Sequence, residues 1–205
     1  MTNTMIKNDK RWIGDLLGGS LMVRESRTIA ELLLSEPDET TWLQQIINEN
    51  ILQASSTSTA NRYARTLRLR LMTLDLECWQ LIADGSESER LQMLLVALMI
   101  QSPVVAEFIA EVVNPARQQF KEKLGMNCWS EFVDENLRLH PELAAFSDSS
   151  IQKMGNNLIK ALVEAGYLDS SRRRNLQNVF LQPDVATALH RLNKAELLPI
   201  LEGNA

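Results

Sequence analysis

One stretch, residues 52–76, restricts the possible folds of this chain more than any other. It reads LQASSTSTANRYARTLRLRLMTLDL, and its first hydroxyl residues are typical of a helix N-cap. Projected at about 100° per residue, its apolar side chains fall on one face. The residues on that face are Ala60, Tyr63, Ala64, Leu67, Leu71 and Leu74. We therefore expect a long amphipathic helix.

The opposite face of this helix is basic and free of acidic residues. Neither Asp nor Glu occurs between Glu49 and Asp75. The arginines in the interval are Arg62, Arg65, Arg68 and Arg70. A helix whose first turns are solvent-exposed and basic has the form of a recognition helix, which contacts DNA bases with those turns.

The C-terminal end of the same helix is expected to enter the core. Leu69, Met72 and Leu76 replace the polar residues there, so that the helix becomes apolar on all sides. Arg70 projects nearer the core side, and we expect it to pair with an acid such as Glu77.

A shorter predicted helix precedes this one at the spacing of a helix-turn-helix motif. Residues 41–50 carry Trp42 and Ile46 in helical register, and in the loop 51–56 Ile51 and Leu52 would fill the angle between the helices. Spacing alone is weak support, because any all-helical protein contains many such pairs. The basic second helix strengthens the interpretation.

The C-terminal half is predicted to contain a second unit of this kind. A helix at 128–139 leads through a connector to a longer helix at 149–165, which Gly166 ends. Short apolar pieces then flank the polar loop 169–175, a pattern typical of the β-hairpin wing of a winged helix. Three consecutive arginines would lie at its tip.

The rest of the chain also has mainly helical periodicity. Residues 87–101 form the most apolar segment and should be central to the core, Asn114-Pro115 marks a break, and a helix is predicted at 117–124. We therefore predict an all-α fold, a compact multi-helix globule with two helix-turn-helix units. The second unit has a possible short β-hairpin wing.

Two halves packed as one globule are the predicted domain organisation. The N-terminal half spans residues 1–113 and holds the first helix-turn-helix at about 41–76. The C-terminal half spans residues 114–205 and holds the second unit with its wing-like loop at about 128–182. A chain of 205 residues is long enough to bury a sizeable core.

The composition of the chain limits the classes of function that it can have. The net charge of −5 argues against a uniformly basic nucleic-acid coat, but not against a local basic face, because charges act mainly within about 10 Å. The longest apolar run, 93–100, is far shorter than the ~20 residues that span a bilayer, and no secretory signal is visible. Cys78 and Cys128 are predicted to be buried free thiols. We expect a cytoplasmic protein without membrane contact.

Residue patterns for catalysis and metal binding are missing. His140 and His190 are the only histidines, and no Cys or His stands at metal-ligand spacing. The sequence contains no nucleophile motif and no D/E-x-K cluster on a strand. We therefore expect a non-catalytic protein with no cofactor and no metal.

Both units supply candidate DNA contacts. Arginine pairs with phosphate oxygens or guanine edges, and asparagine with adenine edges. In the first unit the candidates are Ser58, Asn61, Arg62, Arg65 and Arg68. In the second unit they are Lys153, Asn156, Asn157, Lys160, Arg172, Arg173 and Arg174. The alternative for the same side chains is a solvated helix face and a loop of arginines without a DNA role.

Motifs along the chain resemble a known family. They are GGSLMVRESRTIAELLL at 18–34, W…I…NILQ at 42–53, S.STANRYARTLRLRL at 56–71, W.LI..G at 79–85 and EAGYL at 164–168. These segments are similar to BrxA, a small core component of type I bacteriophage-exclusion (BREX) defence systems. The resemblance implies an all-helical, DNA-binding, non-catalytic protein that works beside the methyltransferase, the ATPase and other BREX proteins.

Two functional hypotheses follow. The first is a non-catalytic double-stranded DNA-binding protein of phage defence that contacts the DNA backbone through both units. Its sequence preference, if any, would come from Asn61, Arg62 and Arg65. The alternative is a structural adaptor that docks other defence proteins without touching DNA. Affinity for plain duplex DNA distinguishes the two.

Overall fold

The computed structural model describes residues 12–203, and this part of the chain is built from helices. The α-helices are α1 Val23–Leu34, α2 Glu39–Leu43, α3 Thr57–Leu71, α4 Leu76–Asp84, α5 Glu87–Gln101, α6 Pro103–Phe108, α7 Asn114–Gln118, α8 Cys128–Asn136, α9 Asp148–Glu164, α10 Pro183–Arg191 and α11 Leu198–Glu202. Shorter helical turns are Gln44–Asn48 and Ile109–Val113, both π-helical, and Pro141–Ala145 and Ala195–Leu197, both 3-10. The predicted all-α fold is confirmed.

Helix α5 lies inside the core, as its uniform apolarity predicts. Residues 92–99 are buried on every side of the helix. The helix begins with a capping box, in which the Ser86 hydroxyl accepts from the Glu89 N–H and the Glu89 carboxylate accepts from the Ser86 N–H. The buried Gln92 amide donates to the carbonyl of Phe180 and accepts from the N–H of Gln182, both at 2.9 Å. It therefore holds the segment before α10 against α5.

The predicted break at Asn114-Pro115 is wrong. The backbone stays helical from α6 through the π-helical turn into α7, so that Pro115 lies inside a continuous helical segment, directly after the π-helical turn. The helix predicted at 117–124 is also wrong beyond Gln118, because Phe120 adopts a left-handed φ of 55°. The division into two halves stays a prediction.

The wing-like loop forms bridges rather than strands. Leu168 pairs with Leu176 and Lys123 pairs with Asn175, both in antiparallel sense. The N–H of Leu176 also donates to the carbonyl of Glu122 at 3.0 Å. Three short segments therefore lie side by side, with residues 174–177 in the middle.

Both cysteines are buried free thiols, as predicted. Burial raises the pKa of the Cys78 thiol to about 12, with a further contribution from the Asp75 carboxylate. Burial also raises the pKa of Cys128. At neutral pH both side chains are therefore protonated.

No single helix in the range 12–203 is long and apolar enough to cross a membrane. The pair Glu87–Gln101 and Pro103–Gln118 meets the length and composition criteria only jointly, and its two parts are bent by 115°. Most of α5 is buried within the protein.

An ion pair between α4 and α10 leads to a prediction of pH dependence. Arg191 Nε and Nη2 donate to the Asp75 carboxylate at 2.6 and 3.0 Å. These hydrogen bonds hold the pKa of Asp75 well below its usual range. Such a carboxylate stabilises the folded state above its unfolded pKa of about 3.9, and this stabilisation is lost as the pH falls towards the native pKa. We expect Asp75→Asn to lower the thermal midpoint at pH 7.

The difference between wild type and the Asp75→Asn variant should shrink progressively between about pH 5 and pH 2, because only the wild type loses this contribution on acidification. Thermal unfolding followed by circular dichroism across this range measures it. A difference that stays constant with pH would contradict the role given to the ion pair.

Candidate nucleic-acid interface

The turn between α2 and α3 fixes the start of α3. The Ser56 hydroxyl caps the helix by accepting from the Thr59 N–H at 3.2 Å. The side chain of Asn50 closes the loop by donating to the carbonyl and accepting from the N–H of Ala54, both at 3.0 Å. Of the two residues expected to fill the angle between the helices, Leu52 is buried and Ile51 is half-buried. The orientation of α3 relative to α2 is therefore set by specific contacts.

The first three turns of α3 present a polar face without carboxylates. Ser58, Asn61, Arg62 and Arg65 are all exposed. The guanidinium of Arg62 lies over the ring of Tyr63, with 4.9 Å between the guanidinium carbon and the ring centroid. A surface of this kind, at the positive end of a helix dipole, is suited to binding a polyanion.

Arg68 is engaged with residues of α2 and its flanking turn. Its Nη1 pairs with the Glu39 carboxylate at 3.0 Å, and its guanidinium carbon lies 4.2 Å from the centroid of the Trp42 ring. Arg68 therefore connects α3 to α2, and its charge is offset by a carboxylate. We therefore do not propose that Arg68 contacts DNA.

The C-terminal end of α3 is not buried on all sides, as the sequence predicted, but only on its inner side. The helix ends at Leu71, and the chain turns before α4. Leu69, Met72 and Leu76 are 55%, 59% and 46% exposed. On the inner side, Arg70 is buried together with Leu67 and Leu71.

Arg70 is completely buried and pairs with Asp15, not with Glu77 as predicted. Its Nε and Nη2 donate to the two carboxylate oxygens, each at 3.2 Å, and its Nη1 donates to the carbonyl of Ser20 at 2.7 Å. The predicted partner, Glu77, pairs with Arg191 instead, with 2.6 Å between Oε2 and Nη1.

Residues 15–21, which we call the bridging segment, also contact α9. Asn157 Nδ2 donates to the carbonyl of Leu16 at 2.8 Å. The Glu164 carboxylate accepts from the Leu21 N–H at 2.8 Å and from the Ser20 hydroxyl at 3.1 Å. The bridging segment therefore joins the two candidate recognition helices. Because the Asn157 amide is used in this packing, we do not propose that Asn157 contacts DNA.

The remaining candidates on α9 are exposed. Lys153, Asn156 and Lys160 all face solvent. Lys160 lies 3.7 Å from the Glu164 carboxylate one turn later, an exposed i,i+4 pair of low strength. The α9 surface thus carries cations, but less densely than α3.

Of the three wing arginines, Arg174 is used in packing, whereas Arg172 and Arg173 are exposed. Arg174 Nη1 donates to the carbonyls of Gly125 and Met126, both at 3.0 Å, and so attaches the wing to the loop before α8. Arg173 is exposed and pairs with Asp169 at 3.1 Å, and Arg172 is exposed. We therefore do not propose that Arg174 contacts DNA.

A cavity of about 470 Å³ beside the wing adds a residue that sequence reasoning missed. Its lining includes Lys123, Arg172 and Arg173. Lys123 precedes α8 by five residues, and the bridge to Asn175 and the neighbouring backbone hydrogen bonds bring it next to the wing. Helical periodicity carries no signal for such a pairing.

A sequence profile of the BrxA family matches residues 10–193. The chain belongs to the BrxA family. The predicted resemblance is therefore confirmed.

Two relatives support membership of the BrxA family. BREX protein BrxA of Escherichia coli O9:H4 (strain HS) is 66% identical over 98% of this chain and 94% of its own length. BREX protein BrxA of Paramagnetospirillum magneticum (strain ATCC 700264 / AMB-1) is 30% identical over 95% of this chain and 98% of its own length.

A solved structure shares the fold of this BrxA-family chain. The crystal structure of an uncharacterized protein from Magnetospirillum magneticum superposes with a TM-score of 0.84 at 29% identity. The alignment covers 94% of this chain and 99% of the other.

The chemistry of this BrxA-family chain offers no metal centre within residues 12–203. No group of three or more His, Cys, Asp or Glu side chains is arranged there to hold an ion. What the described surface does offer is exposed arginine and lysine at the start of α3, on α9 and at the wing.

Proposed function

We propose that this BrxA-family protein is a non-catalytic double-stranded DNA-binding component of a BREX phage-defence system. One observation carries the proposal: the first three turns of α3 expose Asn61, Arg62 and Arg65 on a face without carboxylates, in a chain whose net charge is −5. Cations gathered on one face of an acidic protein create a local positive field. Arg62 and Arg65 would hold phosphates, and Asn61 would reach a base edge.

The second unit would add contacts to the DNA backbone. Lys153 and Lys160 on α9, together with Arg172 and Arg173 at the wing, are exposed cations. Lys123 lines the same cavity as the two arginines. In the first unit, the hydroxyl of Ser58, in the first turn of α3, would also donate a hydrogen bond to a phosphate. Phosphate contacts of this kind position a protein on DNA without reading sequence.

The partners in this proposal are duplex DNA and other BREX proteins, among them the methyltransferase and ATPase that the family resemblance implies. The two relatives described above are named BREX proteins. The proposed location is the cytoplasm, where phage DNA would be met.

A second candidate function is a structural adaptor for defence proteins. One observation favours it: Leu69, Met72 and Leu76 leave apolar surface exposed at the end of α3. A small apolar patch beside polar residues is compatible with a docking surface. The adaptor would dock without any affinity for DNA.

A salt titration separates the two functions. Fluorescence anisotropy of a labelled duplex of about 24 base pairs is measured from about 50 to 300 mM salt. DNA binding predicts that log affinity falls linearly with log salt, with a slope of about −0.9 for each phosphate contacted. Contacts by Arg62 and Arg65 alone give about −1.8, and the second unit makes the slope steeper. Absence of binding at about 50 mM salt would contradict the proposal and favour the adaptor.

A further inference from the structure

A groove of about 890 Å³ lies between α8 and α9. The two helices touch at Gly155, where an added Cβ would lie 2.3 Å from Cδ1 of the Trp129 ring. The turn Pro141–Ala145 contributes Leu143 and Ala144 to the lining of the groove. The groove is within the range of volumes typical of ligand-binding clefts, about 300–1,000 Å³.

The floor of the groove is apolar and already formed. Trp129 Nε1 donates to the carbonyl of Ile151 at 2.8 Å, and its ring stacks on Phe132 with 5.9 Å between centroids, so that the indole is held in place. At the edges, Met126 and Leu137 are 63% and 38% exposed. The apolar lining consists of Met126, Trp129, Val133, Leu137, Leu143, Phe146, Ile151 and Ile159.

The charge around this apolar floor is negative. Asp134 and Asp148 line the groove. The cation among the lining residues is Arg174, which is hydrogen-bonded to backbone carbonyls. A duplex would be repelled here, whereas a basic polypeptide would be attracted.

We infer that this groove binds an amphipathic helix of a partner protein, with apolar residues on the face that enters the groove and Lys or Arg beside that face. Helix-in-groove recognition uses apolar anchors at positions i, i+3, i+4 and i+7. Helix α8 has 9 residues and is therefore about 13 Å long, which matches two to three turns of such a partner. The cations of the partner face Asp134 and Asp148.

This docking site is independent of the proposed DNA contacts on α3. Neither Arg62 nor Arg65 lines the groove. The bridging segment connects α9, one wall of the groove, with α3. A partner bound in the groove would thus be held at a fixed position relative to α3.

The probe for the test is a synthetic helical peptide of about 14 residues with Leu at positions i, i+4 and i+7 and Lys beside them. A second peptide has Glu in place of each Lys. Binding is measured by fluorescence anisotropy with the full-length chain at about 150 mM salt. The groove predicts that the Lys peptide binds at least about tenfold more tightly than the Glu peptide.

Two charge-reversal variants on α8 form a matched pair. Asp134→Lys places a cation in the groove lining, whereas Glu131→Lys makes the same charge change one turn earlier, outside the lining. We expect Asp134→Lys to weaken binding of the Lys peptide about tenfold and Glu131→Lys to weaken it less than threefold. Ala144→Trp, which fills the groove from its exposed edge, should abolish binding.

Several results would overturn the inference. They are equal affinity for the two peptides, equal losses for the two lysine variants, or self-association of the chain through the groove without peptide binding. Thermal midpoints verify folding, and the lysine pair still decides if Ala144→Trp does not fold. DNA affinity, measured in parallel, should not change in Ala144→Trp, so that failure here and failure of DNA binding remain distinguishable.

Discussion

Replacing Arg62 and Arg65 together with alanine is expected to lower the affinity for duplex DNA about 60-fold at 0.1 M salt. Each phosphate contact adds about 0.9 to the magnitude of the salt slope, so that one contact contributes about eightfold at 0.1 M relative to 1 M. Two lost contacts multiply to about 60-fold and reduce the magnitude of the slope by about 1.8. Both side chains are exposed, so the free energy of unfolding should change little.

A matched control removes the same charge elsewhere. Arg27 on α1 and Arg138 after α8 are exposed and lie outside the candidate interface. We expect Arg27→Ala with Arg138→Ala to change the affinity less than threefold and to leave the salt slope unchanged. Equal losses in the two double variants would mean that net charge, and not the α3 face, governs binding.

Replacing Arg70 with methionine is expected to cost about 3–5 kcal/mol in the free energy of unfolding. The substitution leaves the Asp15 carboxylate partly buried without its cation, and breaking a buried ion pair from one side has a cost of this size. It also removes the hydrogen bond to the carbonyl of Ser20. Urea unfolding of the wild type and the variant measures the loss.

Two further variants test this explanation. Arg65→Met changes an exposed arginine on the same helix and should alter the free energy of unfolding by less than about 0.5 kcal/mol. Adding Asp15→Asn to Arg70→Met removes the unpaired charge, so the double variant should be more stable than Arg70→Met alone. A loss below about 1 kcal/mol for Arg70→Met would contradict the role of the pair.

Local patterns in the sequence predicted most of the helices. The capped start of α3 and the apolar α5 were both recognisable, because each depends on residues a few positions apart. The face of α3 with Asn61, Arg62 and Arg65 followed from the same periodicity. Helical projection tells which residues share a face, and the exposure of these three residues agrees with it.

Such local patterns could not predict the contacts between distant parts of the chain. Arg70 was correctly placed towards the core, but its partner is 55 residues earlier in the sequence, and no spacing rule identifies Asp15. For the same reason the sequence could not reveal that Asn157 binds the bridging segment or that Arg174 binds the loop before α8. Polar side chains that appear available in a projection are therefore partly used in packing.

The exposed apolar residues at the end of α3 had a local cause that the projection did not capture. Asp75 caps α4 by accepting from the N–H of Cys78 at 2.9 Å, so a new helix begins where the long one was expected to continue. The chain changes direction before Leu76, and the outer side of α3 stays in solvent.

The two buried thiols make this protein convenient for site-specific labelling. Alkylating reagents attack the thiolate, and burial keeps Cys78 and Cys128 protonated and covered at neutral pH. A cysteine introduced at the exposed Ser58 would consequently be the preferred target for a maleimide dye, without prior removal of the native pair. A fluorophore at that position would report directly on the approach of a duplex to the start of α3.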